Sequence, residues 1–173
     1  MILLTECVAA CILFTLVVVA VSLKDPLAQV NNWPPAIQQR ARELGPIREE
    51  QMSGSKKVYA KKLAAALVIA SAFAALVFFA NGARSFADGF GYSYLIWTVV
   101  NWYDALVIDC LWVCHDRRVR IPGTENMKEY RDYWFHIRGS LVGQVLGLPV
   151  ALLVGGFDGG HWAVCVKGEV YGR

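Results

Sequence analysis

Apolar residues in this chain fall into blocks of about 20, close to what a helix needs to cross roughly 30 Å of hydrocarbon at about 1.5 Å per residue. Four such blocks lie at 2–23, 63–80, 92–114 and 139–157. The pattern predicts an all-α, polytopic membrane protein in which residues 1–173 form a single membrane domain, with polar loops at 24–62 and 115–138. The first block is interrupted by Thr5 and Glu6 and stops at Lys24-Asp25-Pro26, where charge and proline end a helix. A signal peptide is the competing reading, but the block has no basic leading region and no convincing cleavage site. Val8-Ala9-Ala10-Cys11 resembles a lipoprotein cleavage box, yet its apolar run follows the cysteine where it should precede it.

Two finer patterns refine this outline. Asn32-Trp33-Pro34-Pro35, then 36–44 and Gly45, has the punctuation of a short helix, with a capping residue, an early proline and a glycine stop. Ile37, Ala41 and Leu44 recur at spacings of four and three and give it one apolar face. Beside Trp33 it reads either as a juxtamembrane amphipathic helix on the membrane surface or as a solvated connector. In the fourth block, Gly139, Gly143 and Gly147 share one helical face, which favours close packing of a neighbouring helix, with a ligand groove as the alternative.

Composition supports the membrane assignment and adds an orientation. Hydrophobic residues make up 56% and charged residues 18%, too apolar for an ordinary soluble surface. Eight Lys and Arg residues fall in 24–62 and six in 115–138, against one in 82–90 and two from 158 onward. The two rich loops therefore belong on the cytoplasmic side, with both termini outside. The net charge of +3 comes from these juxtamembrane segments, not from an aromatic-lined groove, so no nucleic-acid partner is expected. Membrane lipids are the expected partners, with a second copy or another membrane subunit as a further one. Five cysteines form no disulfide framework or zinc motif, and Cys110-Leu111-Trp112-Val113-Cys114-His115 has one residue too many for haem attachment. The pattern identifies no particular cofactor.

The candidate chemistry sits on the third span. Asn101, Asp104 and Asp109 interrupt an otherwise apolar stretch, and a carboxylate there costs several kcal/mol unless something offsets it. At about 100° per residue, Asn101, Asp104, Asp109, His115 and Asp116 fall within an arc of about 140°, a polar face that should point into the bundle. Asp104 lies near mid-membrane, where it either holds helices together or binds an ion or proton; Asn101 is its nearest intrahelical neighbour. Asp109 lies about 7 Å from the cytoplasmic end. It could pair with Arg138, or join His115, Asp116, Glu125 and His136 in a rim cluster suited to a divalent metal or to acid–base work.

The run Asn101-Trp102-Tyr103-Asp104, Asp109, Ile121-Pro122-Gly123-Thr124-Glu125-Asn126-Met127, Tyr130 and His136, preceded by Asn81-Gly82-Ala83, Phe86 and Gly89-Phe90, resembles a group of small, functionally uncharacterised bacterial membrane proteins. The similarity covers roughly residues 80 to 155. It implies a four-span bacterial protein with these polar residues as the functional set, and it supplies no reaction.

Two functional classes remain open. One is a binding, transport or accessory subunit that uses Asn101, Asp104 and Asp109 for a ligand, ion or partner helix. The other is an interfacial enzyme acting on a lipid or isoprenoid-linked substrate. In it Asp109, Glu125 and His136 are the catalytic candidates, His115, Asp116 and His136 the metal candidates, and Arg117, Arg118 and Arg120 attract an anionic head group.

Overall fold

Capping residues set where the helices begin, and they lengthen two of the expected spans. A computed structural model describes the backbone of residues 2–45, 68, 75, 76 and 79–171, and the side chains of the same residues apart from 28 and 158–171. Helix α1 is Ile2–Lys24, α2 is Pro35–Leu44, α3 is Phe86–Tyr103 and α4 is Tyr133–Tyr171. Short 3-10 segments at Pro26–Asn32, Arg117–Val119 and Lys128–Arg131 lie in the connections. No strand occurs among the described residues.

Helix α3 starts six residues before the expected position 92 because Ser85 caps it. The Asp88 amide donates to Ser85 Oγ at 3.1 Å while Ser85 donates to the Asp88 carboxylate at 2.7 Å, a reciprocal pair that satisfies an otherwise orphaned amide. Asp132 does the same for α4, accepting from the Phe135 amide at 3.1 Å. Helix α4 also runs past 157, the expected end of the fourth span, and continues through 158–171; no proline follows Pro149 to remove a further backbone donor. Most of the span expected over 63–80 lies outside the described residues, of which 68, 75, 76 and 79 are helical.

Three described helical stretches, Ile2–Lys24, Phe86–Val113 and Tyr133–Phe157, are long and apolar enough to cross a membrane. Leu4, Leu13 and Leu16 on the first, Leu106 and Leu111 on the second, and Val145, Leu146, Leu152 and Leu153 on the third stand exposed. Apolar surface of that extent is unfavourable in water and is the normal exterior of a helix in lipid.

The chain divides into two compact units. The first contains Met1–Ala10, Leu63–Asn101 and Val142–Arg173. Here α3 and α4 are joined by polar contacts: the Gln144 amide donates to Thr98 Oγ1 at 2.7 Å and accepts from Asn101 Nδ2 at 3.3 Å, and Trp97 Nε1 donates to the Gly143 carbonyl at 3.1 Å. Asn81 Nδ2 donates to Glu6 Oε2 at 2.9 Å, which gives the carboxylate of the first helix a partner.

The second unit contains Cys11–Lys62 and Trp102–Leu141. Its core is built on Trp33, Ile37, Ala41, Val119, Ile121 and Tyr130. Ile37 and Ala41, two of the three residues of the expected apolar face of α2, are buried against protein, while Leu44 stays exposed. Trp33 is 3% exposed and meets Tyr130 edge to face at 4.5 Å between ring centroids, a geometry aromatic rings favour.

Tyr130 also fastens the 115–132 connection. Ile121-Pro122-Gly123-Thr124 is a type II turn, closed by the Thr124 amide on the Ile121 carbonyl at 3.0 Å with Gly123 at φ +84. The Ile121 amide donates to the Tyr130 hydroxyl at 2.9 Å, Tyr130 and Thr124 Oγ1 are 2.6 Å apart, and Thr124 donates back to the Ile121 carbonyl at 2.8 Å. The turn needs a residue that tolerates positive φ. Gly123→Ala should therefore lower stability by roughly 1 kcal/mol, read as a drop in the thermal midpoint of the detergent-purified protein; an unchanged midpoint would contradict the turn assignment.

Candidate functional site

The apolar helix that begins as α3 changes its winding where the carboxylates lie. Asp104–Val113 is a π-helical segment, marked at its end by the Cys114 amide donating to the Asp109 carbonyl at 2.9 Å, five residues back. In such a segment a residue lies about one turn from the fifth residue beyond it, whereas α winding would set Asp104 and Asp109 about 140° apart. The wider winding brings the two carboxylates toward one side. Asp104 lies within electrostatic reach of both Asp109 and His136.

Asp109 and His136 form the one direct pair among the expected rim residues. Asp109 Oδ2 is 3.0 Å from His136 Nδ1, with the histidine side chain 5% exposed and the aspartate 26%. A carboxylate on Nδ1 orients an imidazole and directs the other nitrogen outward from the pair for proton exchange. That nitrogen, His136 Nε2, is buried and has no close hydrogen-bond partner, the Cys114 thiol being the ring's other polar neighbour besides Asp109. Trp33 stands edge-on to the imidazole at 6.1 Å and Phe135 at 5.4 Å, and the Cys114 thiol lies within interaction distance of it.

The other expected rim residues go elsewhere. His115 Nε2 is 3.1 Å from the Tyr133 hydroxyl. Asp116 caps the Arg117–Val119 turn through the Arg118 amide and accepts from Trp112 Nε1 at 2.9 Å. Arg118 pairs with Asp116 at 2.7 Å, and its hydrogen bonds hold the Asp116 carboxyl down at about 2. Glu125 Oε1 accepts the Gly123 amide at 2.9 Å, and backbone amides pull its carboxyl below the ordinary value. The Arg138 guanidinium lies over the Trp134 ring at 5.4 Å. Among the described residues no three His, Cys, Asp or Glu side chains are grouped closely enough to hold a metal ion.

Asn101 belongs to the first unit, where its Nδ2 meets Gln144. Of the three glycines, a Cβ at Gly143 would approach Asn101 Oδ1 at 2.6 Å, one at Gly147 would collide with the Trp97 indole, and one at Gly139 would meet nothing within 4 Å.

Two residues stand out that helical periodicity did not mark as site residues: Trp33, and Tyr130, which entered only through the resemblance. Trp33 stands beside an amphipathic helix that reads as lying on the membrane surface or as a solvated connector, and Tyr130 lies in a charged stretch with no helical period. Burial of both came from the connection folding back, for which the Pro122-Gly123 turn is the visible signal.

Compared with models of known protein families, with curated proteins and with solved structures, the chain matches none.

Two outcomes follow from this geometry. Because the folded Asp116 pKa is below that of a free carboxyl, its contribution to the loop is present above about pH 4 and is lost as pH falls through about 2. A carboxyl ¹³C titration should show this midpoint, moving upward in Arg118→Gln; a midpoint near 4 in the unaltered protein would contradict the pairing. Gly147→Leu should lower the thermal midpoint well below that of Gly139→Leu, since only the first must displace an indole; equal effects would contradict the packing.

Proposed function

We propose that this chain is a bacterial inner-membrane protein whose Asp109–His136 pair is an acid–base site at the cytoplasmic rim of a four-span bundle, acting on a lipid or isoprenoid-linked substrate. The observation that carries this reading is the unpartnered, buried Nε2 of an imidazole already oriented by a carboxylate at 3.0 Å. Proton transfer at Nε2 needs no metal and no second acid from Glu125, which is committed to the turn. The π winding supports the reading, because such segments occur frequently at functional sites. The second and fourth spans are those predicted from the apolar blocks, the basic loops lie inside, and both termini lie outside.

A second reading, a binding or transport subunit, is favoured by Asp104. A carboxylate in the membrane-spanning stretch, in electrostatic reach of Asp109 and His136, gives three ionisable groups along one route, as in proton relays. In this reading Asn101, Asp104 and Asp109 take up an ion or proton, and Gly143 and Gly147 serve helix assembly, with another copy or a partner subunit.

Lipid extracts distinguish the two. In cells lacking the protein, one lipid or lipid-linked species should accumulate. Wild type should clear it, and His136→Gln and Asp109→Asn should not, at equal abundance in the membrane. A lipid profile identical in all strains would sink the enzymatic reading and leave the transport one.

A further inference from the structure

Among the described residues, four buried side-chain nitrogen or oxygen atoms lack a hydrogen-bond partner: Glu6 Oε1, Trp33 Nε1, Arg120 Nε and His136 Nε2. Three of the four are nitrogens of the second unit: Trp33 and Arg120 both contact the Tyr130 ring, and Trp33 also meets the His136 imidazole. Trp33 lies between Tyr130, at 4.5 Å, and His136, at 6.1 Å, while the Arg120 guanidinium lies over the Tyr130 ring at 4.9 Å. Trp33 and His136 are 3% and 6% exposed, so bulk water does not satisfy them.

All three nitrogens can present an N–H, and an unpaired buried N–H costs about 1 to 3 kcal/mol. Arg120 adds a charge to this. Its terminal nitrogens donate to the carbonyls of Glu125 and Cys114, both neutral acceptors, and none of the ion pairs among the described residues includes it. Carbonyl acceptors bring a partly buried guanidinium no counter-charge, and the chemistry that supplies one is an oxyanion. Indole has only a donor, so it suits the same ligand. Asp109 already holds the opposite nitrogen of His136, which leaves Nε2 free to donate to an oxyanion or to take the proton of its acid form.

We infer that Trp33, Arg120 and His136 together bind the phosphate of a membrane lipid, with the acyl chains lying along exposed apolar residues of the same unit such as Leu106 and Leu111. The inference rests on the acid–base reading and names its substrate class: a phosphate-bearing amphiphile whose head group is gripped by Arg120 and Trp33 beside the proton-exchanging imidazole. Trp33 and Arg120 position the ligand and His136 is the group that reacts.

The test is native mass spectrometry of the whole protein in detergent, titrated with dioctanoyl phosphatidic acid, with dioctanoylglycerol as the phosphate-free counterpart and inorganic phosphate as a soluble competitor. Phosphatidic acid should bind in preference to dioctanoylglycerol. Arg120→Gln and Trp33→Phe should each weaken it by about tenfold, as expected for losing one charge-assisted or buried hydrogen bond. Trp33→Phe keeps the ring against Tyr130, so a lost fold and a lost donor are separable by comparing thermal midpoints. Displacement by equimolar inorganic phosphate would overturn the lipid as the source. Equal binding of dioctanoylglycerol, or unchanged phosphatidic acid binding in both variants, would overturn the site itself. The acid–base reading fails differently, when His136→Gln leaves the cellular lipids unchanged while phosphatidic acid still binds.

Discussion

A carboxylate near the end of an apolar helix must find a proton or a partner, and Asp109 finds His136 at 3.0 Å. The pair couples the end of the second described span to the start of the fourth predicted one, and it depends on two local features. The π winding of Asp104–Val113 changes the side to which Asp109 turns, and the Asp132 cap starts α4 early enough that His136 lies on a helix. Without the cap, the histidine would belong to a connection with no fixed direction.

The connection itself is held by Tyr130. Its hydroxyl ties to both ends of the Ile121–Thr124 turn, and its ring carries Trp33 on one contact and Arg120 on another. The pattern of proline, glycine, threonine, glutamate and tyrosine thus has a mechanical meaning: the first four build and lock a turn, and the fifth fastens it to the core. Burial raises the Tyr130 pKa above its ordinary value of 10, so the hydroxyl keeps its proton and can donate throughout the neutral range. Glu125, which in sequence is an attractive acid, serves the turn through the Gly123 amide.

The polar residues on α3 divide between two tasks. Thr98 and Asn101 meet Gln144, and Trp97 meets the Gly143 carbonyl, so this stretch of the polar face is engaged by α4. Hydrogen bonds between helices in lipid contribute about 0.6 to 2 kcal/mol each, enough to fix register. Asp104 and Asp109 lie beyond that stretch, in the π segment, and their electrostatic partner is the imidazole.

Sequence by itself determined the membrane-crossing character, the helical class, and the third span as the place where polar groups would require partners. Those follow from block length and from the cost of a carboxylate among apolar residues, and both are local quantities. It also exposed the α2 helix through its proline and glycine punctuation. The early starts of α3 and α4 were written in Ser85-Phe86-Ala87-Asp88 and in Asp132, but hydropathy blocks do not register capping hydrogen bonds. Which of Asp109, His115, Asp116, Glu125 and His136 would meet was decided by tertiary structure alone. A wheel drawn at about 100° per residue assumes uniform α winding, and the residues between 115 and 132 have no period from which a fold-back could be read. The placement of Trp33 against Tyr130 arises from that same fold-back, because a contact between residues 97 positions apart depends on packing and not on local pattern.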